Sequence, residues 1–375
     1  MGNLTESRVF LDASGSAPQS QRTREAFVAA MDDGWADSDR QHAESRRAHA
    51  LLDGAAQAIA AVLGAPAGHT YFVPTFGLAF DRVIGGIVAE RGARGTIVAT
   101  AVERKPVLRV ALRHADEVTR IPVDSAGVLD LDDFRANLGD TVALALVQHA
   151  NQETGVIQPL GEAHEAAHAA GVPLVVDATA SVGHADAAAS WDALVADPAD
   201  WGAPRGVAVI AFRAATHWSP VPPIVTGRVN VAVALAAAVA LEEREERRAE
   251  VAPRLAALAA RIRAAAAQVP DTVVFEPQGP ALPHVVTFAC ARIDGEALAT
   301  ELDRRGFAVG SGSACTADPE PESHVWQALG MLGSGVVGHG IVRVGLHPGV
   351  SEDDVERFIV ALREAAAMLV AGMGR

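Results

Sequence analysis

The sequence has 375 residues, half of them hydrophobic and 21% charged, so it can bury a large core and has the composition of a globular protein. Its net charge of −15 argues against a surface for nucleic acid or for anionic membranes, because both need clustered cations. The stretch MGNLTESRVF lacks the apolar run of a signal peptide, and no apolar stretch is long enough to span a bilayer. We therefore expect a cytoplasmic protein whose two cysteines are free thiols.

Helical and strand-like patterns alternate through the first half of the chain. Helices are predicted at about 18–31 and 40–63, and Pro18 suits a first helical turn because its missing N–H would have no partner there. Polar and Ala-rich helical segments such as LDDFRANL and GEAHEAAHAAG separate many of the strand-like runs, which are TIVAT, VTRIPV, VALALVQHA, PLVVDA, ALVAD and GVAVIAF. This alternation predicts an α/β fold with a mostly parallel sheet covered on both faces. Ligands in such folds bind beyond the carboxyl ends of the strands.

A long helix is predicted next, at about 230–268, with the charged run EEREERRAE near its middle. We interpret that run as a solvated helix face. Beyond it, HVVTFACA, GFAVGSG and HGIVRVGL indicate strands of a smaller α+β unit, closed by the helix DDVERFIVALREAAAMLV. The expected domains are a large one at 14–245 and a small one formed by 1–13 and 246–375.

Four motifs occur in an order and spacing that resemble one family. They are HANQETGVIQP (149–159), VVDATASVG (175–183), GSGSACT (310–316) and IVRVGL (341–346). They resemble the cysteine desulfurases of the class V aminotransferase family, and the resemblance extends from FLDASGSAP to SEDDVERFI. It implies a fold-type-I fold like that of the pyridoxal phosphate (PLP) transferases. It also implies a twofold dimer, formed with a second copy or with a related desulfurase.

The resemblance implies roles for several residues that this sequence retains. Asp177 would pair with the ring nitrogen of PLP, Asn151 would contact the ring hydroxyl, and Arg343 would grip the substrate carboxylate. From the residues alone, the alternative role of Asp177 is a loop cap, and that of Arg343 is a buried ion-pair partner. Cys315 matches the cysteine that becomes a persulfide, and its polar surroundings, SGSACTADPEPES, indicate an exposed thiol. Cys290 lies in the strand-like VVTFACA and is expected in the core.

Other features that the family chemistry needs are replaced. An ungapped match of ALVADPADWGAPRGVAVIAF to the lysine strand puts Asp200 at the position of the Schiff-base lysine. The single lysine of the chain, Lys105, follows Arg104, which stands where the family has a ring-stacking histidine. Ala180 takes the place of the glutamine that the resemblance implies three residues after Asp177.

The expected phosphate cradle is altered too. Thr75, Phe76 and Gly77 replace Gly-Ala-Thr at a helix start, and Asp197 replaces a serine that donates to the phosphate. Arg228 replaces a threonine that reaches across the dimer, and it is the one change that favours an anion. We expect a cofactor site that is present in outline but chemically altered. It should hold no covalent PLP and no metal ion, and should bind PLP at most weakly and reversibly.

Three interpretations of function remain open. In the first, the protein carries sulfur on Cys315 between a donor and an acceptor, without PLP chemistry. In the second, it is a catalytically inactive pseudoenzyme that dimerises and positions sulfur-transfer partners. In the third, it is an active PLP-dependent desulfurase in which Lys105, or a different alignment, restores the site. A new activity that uses Asp200, Arg104 and Arg228 overlaps with the first two.

Overall fold

The computed structural model of the protein describes residues 8–92, 95–219, 229–312, 323–331 and 340–373. The helices in these ranges are α1 (Gln21–Asp33), α2 (Ala43–Leu63), α3 (Phe76–Glu90), α4 (Lys105–His114), α5 (Leu131–Ala136), α6 (Leu160–Ala169), α7 (Val231–Ala266), α8 (Gly295–Arg304), α9 (His324–Ala328) and α10 (Glu352–Met373). The strands are β1 (Val9–Phe10), β2 (Thr70–Val73), β3 (Thr96–Thr100), β4 (Glu117–Ile121), β5 (Val142–Leu146), β6 (Leu174–Asp177), β7 (Ala193–Ala196), β8 (Ala208–Phe212), β9 (Thr272–Val274), β10 (Val285–Cys290), β11 (Phe307–Ala308), β12 (Gly310–Ser311) and β13 (Ile341–Gly345).

A seven-stranded sheet forms the centre of the larger part of the molecule, in the order β2-β8-β7-β6-β5-β3-β4. The strands from β7 to β4 in this order are all paired in parallel, whereas β8 is antiparallel to both of its neighbours. Every residue of β5, β6, β7 and β8 is buried, as expected for strands covered on both faces. The predicted α/β fold with a mostly parallel sheet is confirmed.

Local capping explains where the first helices begin. The helix predicted from about residue 18 begins at Gln21, because Ser20 is its N-cap and the Ser20 Oγ accepts a hydrogen bond from Thr23 N at 3.0 Å. The next helix begins at Ala43, with His42 as its N-cap. Strand β2 was missing from the sequence prediction, because the four residues TYFV show neither a long apolar run nor alternation.

A second sheet, of four antiparallel strands, has the order β12-β13-β10-β9. A short parallel pair, β1 with β11, joins the start of the described chain to this part of the molecule. Its core contains Val9 and Leu11 together with apolar residues between 251 and 366, whereas a separate core around the large sheet lies within 36–241. This separation supports the proposed domain boundary near residue 246, which stays a prediction.

The charged run of α7, residues 242–250, is not solvated along its whole length. Glu246, Arg247 and Glu250 are exposed, as predicted. Arg244 is turned inward, where its Nε donates to the carbonyl oxygen of Trp201 at 3.0 Å, and burial lowers the pKa of Arg244 to about 10. The interpretation as a purely solvated face was therefore wrong for Arg244.

No helix in the described ranges is long and apolar enough to cross a membrane.

Candidate active site

Charged side chains meet at one edge of the large sheet. Strand β3 pairs in parallel with β5, β5 with β6, and β6 with β7, so the carboxyl ends of all four strands lie at the same edge of the sheet. Arg104 follows β3, Asp177 ends β6, and Asp200 follows β7. The sequence placed the candidate site at this edge, and the structure brings these three predicted residues to it.

Arg104 and Asp177 form an ion pair in the site. The Arg104 Nε lies 3.1 Å from Asp177 Oδ2, and the two side chains are 18% and 2% exposed. The other oxygen of Asp177 accepts a hydrogen bond from Thr179 N at 2.9 Å. The ion pair lacks the geometry of a hydrogen bond. Both Asp177 Oδ2 and Arg104 Nη2 are buried without a hydrogen-bond partner among the described residues. The carboxylate that the resemblance assigns to the ring nitrogen of PLP is therefore in contact with a cation of the chain itself.

Asp200 is a buried carboxyl group without hydrogen bonds to either of its oxygens. Its residue is 1% exposed, in a tight turn in which Asp200 N donates to Asp197 O at 3.1 Å. His184 Nε2 lies 3.3 Å from both Oδ1 and the carbonyl oxygen of Asp200. The neighbouring Trp201 is buried and its Nε1 donates to Ala237 O at 3.0 Å, which fixes the turn against α7.

Burial raises the pKa of Asp200, and nearby cations oppose that rise. Arg104 has the largest lowering effect, and Arg244 and Arg343 add to it. Burial also raises the pKa of the half-buried Asp197, and the charge of Asp200 adds to the rise. The loop after β7 thus presents two acidic groups to the site.

Asn151 is used by the turn in which it lies. Its Oδ1 accepts hydrogen bonds from the backbone N–H groups of Glu153 and Thr154, each at 2.9 Å, and its Nδ2 donates to Val102 O at 3.3 Å. Gly155 completes this turn with a φ of 78°. These contacts give Asn151 a structural role that stands beside the cofactor contact predicted for it.

Arg343 reaches the site from the second sheet. It lies in β13, and its Nη2 is 3.4 Å from Asp12 Oδ1. Its buried Nε has no hydrogen-bond partner. Arg343 thus matches the ion-pair alternative, and its contact with a substrate carboxylate stays a prediction.

The start of α3 lies beside Arg104. Thr75 is the N-cap, and its Oγ1 accepts a hydrogen bond from Leu78 N at 3.3 Å. The ring of Phe76 is 5.7 Å from the guanidinium carbon of Arg104, and a side chain at Gly77 would meet open space. Phe76, which the resemblance places in the phosphate cradle, therefore lies beside the same arginine that contacts Asp177.

Glu103 was missed by the sequence analysis, although it is next to Arg104. Its Oε1 accepts hydrogen bonds from Thr100 Oγ1 and from Gln148 N, each at 2.7 Å. Burial, and to a smaller extent the charge of Asp177, raise the pKa of Glu103 to about 8. The site thus contains a carboxyl group that is mostly protonated at neutral pH, a property set by three-dimensional burial.

Two of the predicted site residues, Cys315 and Arg228, lie outside the described residues. Cys290 is buried in β10, as predicted, and burial raises the pKa of its thiol. Lys105 is the half-buried first residue of α4. The described part of the site therefore consists of carboxyl groups, arginines, histidines and amides.

One group of described side chains has metal-ligand chemistry. His184, Asp200 and His284 each bring a ligand atom within 4.8 Å of the others. The two imidazole rings are stacked, with centroids 4.0 Å apart and planes 20° apart, so one ion cannot lie in both ring planes unless a ring rotates. The arginines around Asp200 also oppose a cation. The expected absence of a metal ion stays a prediction.

Replacing Glu103 with glutamine should change how stability depends on pH. The pKa of Glu103 is raised from 4.5 to about 8, so between these values the folded protein keeps a proton that the unfolded chain has lost, and its free energy of unfolding falls as pH rises. The stability of Glu103→Gln relative to the unchanged protein should therefore rise over this window, by about 1.4 kcal/mol per pH unit. Urea unfolding at a series of pH values measures this. The exposed Glu117→Gln is the matched control, and equal pH slopes for Glu103→Gln and the unchanged protein would contradict the assignment.

The combination of a mainly parallel sheet flanked by helices with a smaller antiparallel sheet is the fold-type-I architecture of PLP enzymes. A solved NifS-like protein matches with a TM-score of 0.87 at 20% identity, covering 96% of this chain and all of its own. A NifS-like protein from Rickettsia africae ESF-5 matches with a TM-score of 0.84 at 19% identity, covering 96% of this chain and 99% of its own. These likenesses establish the fold.

The sequence family is established as well. The chain belongs to the Aminotransferase class-V family, whose sequence model matches residues 9–232 and 224–358. A cysteine desulfurase from Klebsiella pneumoniae is 29% identical over 379 aligned positions, covering 95% of this chain and 92% of its own. The cysteine desulfurase NifS from Azotobacter vinelandii is 28% identical, covering 96% and 93%. The resemblance seen in the motifs is thus confirmed at the level of the family.

Proposed function

We propose that this protein transfers sulfur through a persulfide on Cys315 and holds no PLP by a covalent bond. One observation supports the lack of a covalent bond to PLP: charged side chains of the protein itself occupy the site. Arg104 contacts Asp177, and Asp200 is buried after β7. Relatives along almost the whole chain are named cysteine desulfurases, which supports sulfur transfer.

The residues present do not fit covalently held PLP. An aspartate at position 200 has no amine for a covalent link. Asp177 would have to exchange its contact with Arg104 for a ring nitrogen. On the phosphate side, each ionised carboxylate within about 5 Å of one phosphate charge costs about 3 kcal/mol at an effective dielectric of 20, and Asp197 and Asp200 are both candidates. Weak, reversible binding is the most that this set of residues supports.

The sulfur step that we propose needs no cofactor. The Cys315 thiolate attacks the terminal sulfur of a donor persulfide, R–S–SH. The S–S bond of the donor breaks, the donor leaves as the thiolate R–S⁻, and the terminal sulfur with its proton becomes Cys315–S–SH. The reverse exchange with an acceptor thiolate returns Cys315 to the thiolate. No net oxidation occurs, because one S–S bond breaks for each that forms.

The charge around Cys315 opposes this step in part. The segment ADPEPES that follows it is acidic, and negative charges raise the pKa of a thiol. We therefore expect slow loading of sulfur that speeds up as pH approaches the ordinary thiol pKa. The donor, by chemistry, is a persulfide of a small thiol or of a partner protein, and the acceptor is a thiol.

A pseudoenzyme that positions sulfur-transfer partners is the second candidate. The ion pair of Arg104 with Asp177 favours it, because a site filled by its own charges binds little. The two candidates differ in whether Cys315 takes up sulfur. Incubation with a persulfide donor, followed by intact mass measurement under non-reducing conditions, should show one added sulfur atom per chain. A mass without added sulfur would contradict the persulfide proposal and favour the pseudoenzyme.

We also propose that the protein is a dimer. Three large apolar side chains lie in the second half of α1 or just after it, namely Val28, Met31 and Trp35, which are 63%, 56% and 71% exposed. Exposed apolar groups of this size favour a partner surface. Light scattering at micromolar concentration should give twice the mass of one chain. Trp35→Glu should lower the dimer fraction, whereas Val360→Glu, at another exposed apolar position, should not. A monomer mass for the unchanged protein would contradict the proposal.

A further inference from the structure

A cavity of about 410 Å³ lies behind the turn that contains Asp200. It is bounded by the middle of α7, the start of α1 and the loop after β13, and His184 stands between it and Asp200. Its volume is in the range of sites for small molecules. The cavity lies outside the charged cluster of Arg104 and Asp177, neither of which lines it.

The charged groups on its wall are mainly cationic. Arg244, Arg247 and Arg248 line it, together with one acid, Glu243. This is unusual in a chain with a net charge of −15. A local excess of arginines in an acidic protein concentrates anions at that point of the surface.

Two of these arginines form no salt bridge with a described carboxylate. Arg248 is paired with Asp186 at 2.6 Å and with Glu245 at 3.0 Å. Among the described residues, Arg244 and Arg247 have no carboxylate within 4.0 Å, whereas Arg22 and Arg261, which lie outside the cavity, are both paired. Two guanidinium groups are thus available to an anion that enters the cavity.

The two terminal nitrogens of Arg244 form no hydrogen bond within the described part of the chain. The Nε of Arg244 donates to Trp201 O at 3.0 Å. Gly183, with a φ of 74°, gives the side chain room, since a Cβ there would lie 3.3 Å from Arg244 Cβ. A Cβ at Gly202 would come within 3.8 Å of Arg244 Nη2. The side chain is held at its base and free at its planar end, which suits bidentate recognition of a carboxylate or phosphate.

Part of the remaining wall is apolar, and the polar side chains of Gln19, Ser20, Thr23, His184 and His347 line it as well. Val251, Ala252 and Leu255 lie one to three turns further along α7, and Trp201 and Pro283 line the cavity as well. A ligand that satisfies both parts of the wall has an anionic head and an apolar body.

We propose that this cavity binds a small organic anion, with its carboxylate or phosphate head on Arg244 and Arg247 and its apolar body along Val251 and Leu255. This goes beyond the sulfur transfer proposed above and does not depend on it. Neither Arg104 nor Asp177 lines this cavity, and His184 lies between it and Asp200.

Calorimetry with four probes tests the proposal. Hexanoate and hexyl phosphate carry both the head and the body, inorganic phosphate carries only a head, and 1-hexanol carries only the body. Saturable binding of hexanoate or hexyl phosphate, at least tenfold tighter than that of inorganic phosphate and of hexanol, is expected, and the tighter of the two identifies the head. Equal binding of inorganic phosphate and hexyl phosphate would overturn the role of the apolar wall. No saturable binding of either amphiphile at millimolar concentration would overturn the site.

Variants on one helix make the test specific. Arg244→Gln and Arg247→Gln should each weaken binding by about tenfold or more, the loss typical of a charge-assisted hydrogen bond. Glu243→Gln removes the acid on the wall and should strengthen binding. Arg261→Gln, on the same helix and outside the cavity, should leave it unchanged. Because Arg247 is exposed, its variant keeps the test valid even if Arg244→Gln unfolds, and unchanged binding in Arg247→Gln would overturn the proposed head position.

Discussion

A Cys315→Ser variant is expected to take up no sulfur from a persulfide donor, whereas Cys290→Ser should take up as much as the unchanged protein. The two thiols differ in access. Cys290 is 1% exposed, Thr272 Oγ1 donates to its sulfur at 3.2 Å, and burial raises the pKa of its thiol. Cys315 lies in a glycine-, serine- and proline-rich polar segment that favours exposure. Intact mass measurement before and after incubation with the donor gives the result directly.

Alkylation provides the control for this experiment. In the folded protein, a small alkylating agent should modify Cys315 and leave Cys290 unmodified, and both should react after unfolding. If Cys290 carries the added sulfur, or if Cys315→Ser still takes it up, the relay through Cys315 is wrong. The pseudoenzyme would then be the better account.

Restoring a lysine at position 200 should not by itself restore tight binding of PLP. In Asp200→Lys, the Arg104 guanidinium would still contact Asp177, so the ring nitrogen would lack its counter-ion. In the double variant Arg104→His with Asp200→Lys, that carboxylate is released from its cation and the lysine is present. We expect the double variant to bind PLP at least tenfold more tightly than either single variant, because one charge-assisted contact is typically worth about 1.5–3 kcal/mol.

Visible absorbance during titration with PLP measures these affinities. Arg109→His combined with Asp200→Lys is the matched control, since Arg109 is an exposed residue of α4, the helix that begins directly after Arg104. It should behave like Asp200→Lys alone. Desulfurase turnover in Asp200→Lys as strong as in the double variant would contradict the part assigned to Arg104.

The sequence predicted the backbone of the site better than its side chains. The buried strands were predictable, because runs such as VALAL and AVIAF are apolar without interruption, as a sheet covered on both faces requires. The position of Asp177, Asp200 and Arg104 at one sheet edge followed from parallel strand order. Strand β2 was not predictable from its four residues, because its place depends on pairing with β8, which is distant in sequence.

What the sequence could not give is where long and buried side chains point. The contact of Arg104 with Asp177 depends on the direction in which an arginine leaves the start of α4. The raised pKa of Glu103 depends on burial beneath residues from other strands. The inward direction of Arg244 was not predictable, because Arg244 lies in a run of charged residues that is typical of a solvated helix face. In each case the deciding contact joins residues far apart in the chain.

The most direct test of the central claim is a search for covalently held PLP in the purified protein. One portion of the protein is incubated with PLP, and its visible absorbance is recorded before and after dialysis. A second portion is incubated with PLP, treated with borohydride and dialysed, and its intact mass is measured. The account predicts no reduced adduct on Lys105 and an absorbance that dialysis removes. A visible band that survives dialysis, together with an adduct that disappears in Lys105→Arg, would contradict it.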